Sequence, residues 1–197
     1  MTLIPAPLRV CLSKGSRSPK MPSLLDVTVL DLAAHADARG SLVAFEPVEH
    51  PVGTPAPVQW NNVRSKAHVL RGIHVHQIRW DFLYLIDGEM SLALVDIRHD
   101  SDDFGEATVL ELCAGTPQRV CIPPGIAHGF LFNTDAVLLQ GMSHLWDPAD
   151  ELGCHWTAPG SNIPWQPDSP LLSARDATAG SFSAMVEDFR HIQDAGR

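Results

Sequence analysis

Two short stretches hold the residues best suited to chemistry. "RGIHVHQIRWDF" spans residues 71–82 and is followed by Gly88, giving the spacing H-x-H-x4-D-x6-G from His74, His76 and Asp81. "PPGIAHGFLFN" spans 123–133 and sets His128 three residues after Gly125, with Asn133 beyond it. On a strand, His74 and His76 point to the same face. Three histidines and a carboxylate are suitable ligands for a first-row divalent metal. A single histidine can instead take a proton near neutral pH, and an imidazole can also do no more than fill a core. Spacing alone leaves all three uses open.

The surrounding sequence predicts the elements that must position these groups. From Leu24 the chain reads as short apolar runs punctuated by turns. "LLDVTVLDL" is followed by the turn "DARG" and then "SLVAF". "FLYLIDGEMSLALVDI" reads as two strands around Asp87-Gly88, a hairpin signal. "ATVLEL" leads through "AGTP" to "RVCIP", and "GFLFNTDAVLLQGMSHLW" reads as another strand pair around Asn133-Thr134-Asp135. Fourteen glycines and sixteen prolines fit turn-rich β structure. The expected fold class is all-β, a sandwich or barrel. Met185, Phe189 and Ile192 recur at helical spacing, which predicts one packing helix over "SAMVEDFRHI".

Bulk properties narrow the function. A chain of 197 residues with 45% apolar content fits one domain with a sizeable core. A net charge of -9 argues against nucleic acid and against an anionic membrane surface, while leaving room for a local basic pocket for a small anion. No apolar run approaches the ~20 residues of a membrane span. Four cysteines without CxxC spacing read as free thiols in a reducing cytoplasm. Residues 1–20, "MTLIPAPLRVCLSKGSRSPK", are basic and rich in Pro, Gly and Ser. They are expected to form a flexible extension, too broken for a secretory signal, before a single domain over 21–197. Met21 offers an alternative start.

The two histidine motifs resemble those of the cupin superfamily, whose double-stranded β-barrel can bind a metal through three His and one carboxylate. The usual Glu is Asp81 here, and Asn133 falls one residue late. A closer resemblance covers Asp26 to Phe182. "DARG" (37–40), "QWNNVRSKAHVLRGIH" (59–74), "GEMSLALVDIRHDSDDFG" (88–105), "IPPGIAHGF" (122–130), "WDPADELGCHW" (146–156) and "PLLSARDATAGSF" (170–182) resemble, in order and spacing, the dTDP-4-dehydrorhamnose 3,5-epimerase family of RmlC-like cupins.

This resemblance implies a metal-free barrel with no cofactor, usually a homodimer with strands exchanged between subunits. It implies a dTDP-4-keto-6-deoxyhexose substrate, with epimerisation at C3, C5 or both through proton abstraction next to the ketone. It places His74 as the base and Asp176 as the carboxylate paired with it. Arg71 matches a phosphate-binding arginine, Gln59 and Asn61 match polar nucleotide or phosphate contacts, Arg39 matches a substrate-binding arginine, and His128 lines the sugar pocket.

Three departures accompany the match. Trp146 stands where the family has a catalytic Tyr, and an indole N–H cannot serve as a phenol does. The single tyrosine, Tyr84, is expected on the opposite face of its strand from Asp81. Asp81 aligns with a Lys that stabilises the enolate, and His76 replaces a Gln. The last two changes complete the cupin metal pattern. Three readings follow: an epimerase-like enzyme using His74 and Asp176; a metal-dependent cupin enzyme (sugar isomerase, lyase or oxygenase) with His74, His76, Asp81 and His128 as ligands; and a non-catalytic sugar-nucleotide-binding relative. The retained His–Asp pair favours the first.

Overall fold

The computed structural model describes residues 27–45, 54–165 and 167–195; the expected extension over 1–20 lies outside them. The strands are β1 (Thr28–Asp31), β2 (Ala34–Asp37), β3 (Gly40–Val43), β4 (Gln59–Ser65), β5 (Leu70–Val75), β6 (Asp81–Asp87), β7 (Glu89–Asp96), β8 (Ala107–Cys113), β9 (Gln118–Ile122), β10 (Ile126–Phe132), β11 (Ala136–Met142) and β12 (Leu152–Gly153). A one-turn helix α1 (Ala174–Ala177) and a longer helix α2 (Phe182–Ala195) follow. Two five-stranded sheets, ordered β1-β9-β6-β11-β4 and β12-β5-β10-β7-β8, face each other as the jelly-roll barrel expected from the sequence. The "DARG" turn joins β2 and β3, which pair only with each other among the described residues.

The core is divided by the second sheet. Leu83, Val120, Ile122 and Leu138 of the first sheet meet Met90, Leu92, Leu94, Phe130 and Phe132 of the second inside the barrel. On the outer face of the second sheet, Ile73, Val75, Ala93, Val95 and Ala127 lie beneath Phe182, Met185 and Phe189 of α2. This is why β7 is apolar without alternation: both of its faces are covered. Of the three residues that predict α2, Met185 and Phe189 are buried, whereas Ile192 is 42% exposed.

The two hairpins expected at Asp87-Gly88 and Asn133–Asp135 do not form. β6 lies in the first sheet and β7 in the second, and β10 and β11 are likewise split. Turn chemistry specifies a local reversal but not which sheet receives the next strand. Gly88, at φ +87°, packs so tightly that a Cβ would lie 2.5 Å from the Asp135 carbonyl oxygen. The Glu89 N–H donates to Thr134 Oγ1 at 2.9 Å, and the Asn133 N–H donates to the Glu89 carbonyl at 2.9 Å. The two corners therefore lock each other where the chain passes between sheets.

Candidate active site

A cavity of about 330 Å³ opens into one end of the barrel. β5 and the residue just after it supply three of its charged or titratable groups. Arg71 and His74, three residues apart, both line it, as does His76. Strict strand alternation would put Arg71 and His74 on opposite faces. The break comes at Gly72, where φ is +121° and a Cβ would sit 2.6 Å from Gly129 Cα. The facing register of β10 slips between His128 and Phe130 at the same level. Only glycine permits this approach.

His74 Nε2 lies 2.8 Å from Asp176 Oδ1. Ser173 caps α1 and holds Asp176 through its backbone N–H at 3.0 Å. Burial opposes ionisation of Asp176, but the His74 hydrogen bond and charge, Ser173 and the Gly72 N–H outweigh it and bring the carboxyl down to about 2. Burial also lowers the His74 pKa, an effect the Asp176 bond only partly offsets. The ring is therefore neutral at neutral pH; the tautomer with Nε2–H on Asp176 leaves Nδ1 to accept a proton, and Arg175, which can only donate, then turns its hydrogens to Glu151 rather than to Nε2.

Glu151 Oε1 is 3.4 Å from that Nδ1, so it favours the imidazolium once a proton arrives. Burial resists the Glu151 charge, yet Arg175, His74 and Trp146 bring its pKa to about 2. Arg175 donates to Glu151 at 2.6 Å and also touches His74 Nε2.

The opposite wall carries a second cluster. Asp81 is fully buried, with Oδ2 at 3.3 Å from His76 Nε2 and 3.2 Å from His128 Nε2. His76 Nδ1 faces the Asp150 carbonyl at 3.0 Å and His128 Nδ1 faces the Ile126 carbonyl at 3.0 Å. Carbonyls only accept, so both rings carry a proton on Nδ1. Burial works against the Asp81 charge, but the two histidines hold its carboxyl far below the usual carboxylate range. Arg79 Nη2 donates to His76 Nε2, and Arg79 Nε lies 3.4 Å from Asp81 Oδ1.

The donor atoms of His76, Asp81 and His128 lie within 4.8 Å of one another, and their types fit a divalent ion. His74, in the metal set considered from sequence, is not among them; it is committed to Asp176. The guanidinium of Arg79 occupies the His76 lone pair that such an ion would need.

A family model described as dTDP-4-dehydrorhamnose 3,5-epimerase matches residues 22–184. The chain belongs to the dTDP-4-dehydrorhamnose 3,5-epimerase family. It is 32% identical to the dTDP-4-dehydrorhamnose 3,5-epimerase of Pseudomonas aeruginosa over 80% of this chain and 92% of that protein. The fold matches the Legionella pneumophila 3,5-epimerase solved with dTDP-4-keto-L-rhamnose, with TM-score 0.76, 26% identity, and 83% and 92% of the two chains covered. It also matches a 3'-monoepimerase from Streptomyces bikiniensis solved with dTDP-quinovose, with TM-score 0.74, 27% identity, and 84% and 87% covered.

Within this epimerase-family barrel, Asn61, Arg71, His74, His128, Trp146 and Asp176 line one cavity. Gln59 stands one layer behind, accepting from the Trp146 N–H at 3.0 Å and donating to Asn61 Oδ1 at 3.0 Å. Arg39 does not join them. It lies on the β2–β3 hairpin, paired with Asp37 and with a side chain 91% exposed, on a two-stranded sheet that joins neither sheet of the barrel among the described residues. Tyr84 packs on Phe45 and Trp60 outside the cavity, so among the described residues no phenol reaches it. Trp146 instead donates its indole N–H to Glu151 Oε2 at 2.7 Å.

Sequence reasoning missed Glu151, Arg175 and Arg79. The first two sit inside the quoted family segments, and Arg175 adjoins Asp176. Arg79 belongs to no motif; only the fold shows that it faces the cavity.

Proposed function

We infer that this protein epimerises a dTDP-4-keto-6-deoxyhexose next to the ketone. The observation that carries the reading is the neutral His74 paired with the Asp176 carboxylate at 2.8 Å in the cavity of an epimerase-family barrel. His74 Nδ1 takes the acidic C–H proton from C3 or C5. The C–H electron pair becomes the enolate double bond, and the carbonyl electrons move onto the C4 oxygen. Asp176 holds the tautomer and stabilises the imidazolium. Arg71, whose Nε donates to Ser65 Oγ at 3.2 Å, has donors left for the diphosphate. Asn61, positioned by Gln59, and Trp146 flank it. His128 lines the sugar end of the cavity.

Net inversion requires proton return on the opposite face, where the indole of Trp146 stands in place of a phenol. The reading is therefore proton exchange, with inversion at one carbon favoured over double inversion. In deuterated water, NMR should show deuterium entering C3 or C5 of dTDP-4-keto-6-deoxyglucose, and His74→Ala should abolish it. Tight dTDP binding without exchange would instead identify a non-catalytic sugar-nucleotide-binding relative, the reading that Trp146 favours.

The working unit of this reading is a homodimer. Support comes from the β2–β3 hairpin, which carries exposed Leu42 and Phe45 beside it and pairs with no other described strand; it would bring Arg39 to a second copy's cavity. Cytoplasmic residence fits the thiols of Cys113, Cys121 and Cys154, which form no disulfide. No helix among the described residues is long and apolar enough to cross a membrane.

A further inference from the structure

We propose that Arg79 is the electrophile of the site, donating hydrogen bonds to the C4 oxygen as it gains enolate charge. This rests on the epimerase reading above. That chemistry needs a fixed positive group at the keto oxygen. Asp81, at the position the sequence assigns to the family's Lys, is an acid and offers an enolate no positive group.

Arg79 answers both needs. It enters the cavity wall two residues before Asp81, and its side chain is 4% exposed. Nη2 is bound to His76, and Nε faces Asp81 Oδ1 at 3.4 Å without hydrogen-bond geometry. Nε and Nη1 have no hydrogen-bond partner among the described residues. Buried guanidinium donors call for oxygen acceptors, and a keto oxygen turning into an enolate is one.

The other cavity arginines serve elsewhere: Arg175 pairs with Glu151 and Asp176, and Arg71, anchored on Ser65, keeps its remaining donors for the diphosphate. The His76–Asp81–His128 cluster then becomes a cradle. Asp81 offsets the guanidinium charge, Gln140 Nε2 holds Asp81 Oδ1 at 3.2 Å, and the His76 lone pair fixes the fork. During the reaction Arg79 transfers no proton; His74 takes the proton from carbon, exchanges it with solvent or returns it to the same face, and inversion takes a solvent proton on the opposite face.

The test compares native protein with Arg79→Gln and Arg79→Lys, each checked for a cooperative melt. Arg79→Gln should slow deuterium exchange about 100-fold, the scale of losing one oxyanion donor, with dTDP affinity by calorimetry unchanged. Arg79→Lys should retain more exchange than the glutamine variant. Native-rate exchange by folded Arg79→Gln would reduce Arg79 to a structural counter-charge and overturn the proposal. Stoichiometric divalent metal in native protein, with exchange abolished by its removal, would overturn it in favour of a metal electrophile.

A second measurement separates this proposal from the epimerase reading. If native protein shows no exchange, the epimerase reading falls. Arg79 is then judged by whether native protein prefers dTDP-4-keto-6-deoxyglucose over dTDP-quinovose, which lacks the ketone. Loss of that preference in Arg79→Gln supports the contact, and an unchanged preference overturns it. Should the glutamine variant not fold, Arg79→Lys takes its place in both measurements, with slowed exchange expected and a native rate overturning the proposal.

Discussion

His74 and Asp176, 102 positions apart in the chain, meet with Nε2 and Oδ1 2.8 Å apart. The contact requires β5 to break its alternation at Gly72 and the Ser173 cap to turn Asp176 inward. It leaves a neutral imidazole with one nitrogen spoken for and one available. Asp176→Asn should therefore lower exchange on the order of 100-fold or more, because an amide stabilises neither the Nε2–H tautomer nor the imidazolium. Substrate binding should change little. An Asp176→Asn rate close to native would show that orientation comes from Glu151 or Arg175 instead.

The pH profile follows from His74. Its pKa lies below the ordinary 6.5, so the base form persists through neutrality. kcat/KM should be flat near pH 7 and fall only on the acid side, with a midpoint below 6.5. A midpoint above 6.5 would mean that the two carboxylates outweigh burial.

Stability should fall in acid for the same groups. His74, Glu151 and Asp176 all have folded pKa values below their ordinary ones. The unfolded chain thus binds more protons, and stability is lost as pH drops through each unfolded value toward the folded one. The loss begins near 6.5 with His74. It steepens from 4.5 and 3.8 down to about 2 with Glu151 and Asp176. Melting temperatures across that range would check it.

Arg71→Ala should weaken dTDP binding by about 1.5–3 kcal/mol, the range for hydrogen bonds to charged groups. Isothermal titration reads this directly. Unchanged affinity would move the diphosphate away from Arg71.

Trp146→Tyr supplies a phenol where the indole now meets Glu151. It should raise doubly inverted product relative to simple exchange, as seen by NMR of the product mixture. An unaltered ratio would locate the limiting step elsewhere in the cavity.

Much of this molecule is local, and local properties are legible in sequence. Short apolar runs between Gly- and Pro-rich turns specify strands, and motif spacing is enough to identify the family. Met185 and Phe189 at helical spacing mark α2, because helical periodicity records one buried face. What a linear pattern lacks is destination. Asp87-Gly88 specifies a reversal, but the opposite sheet receives β7 because its apolar residues need cover on both faces. His74 and His76 share a spacing that suits a metal, yet Gly72 and the cap on α1 give His74 to Asp176, while His76 turns to Asp81. Arg39 sits in a family segment but on a hairpin that joins neither sheet of the barrel among the described residues. Arg79 carries no signal at all in one dimension: a buried cation with unpartnered donors exists only once two sheets close around it.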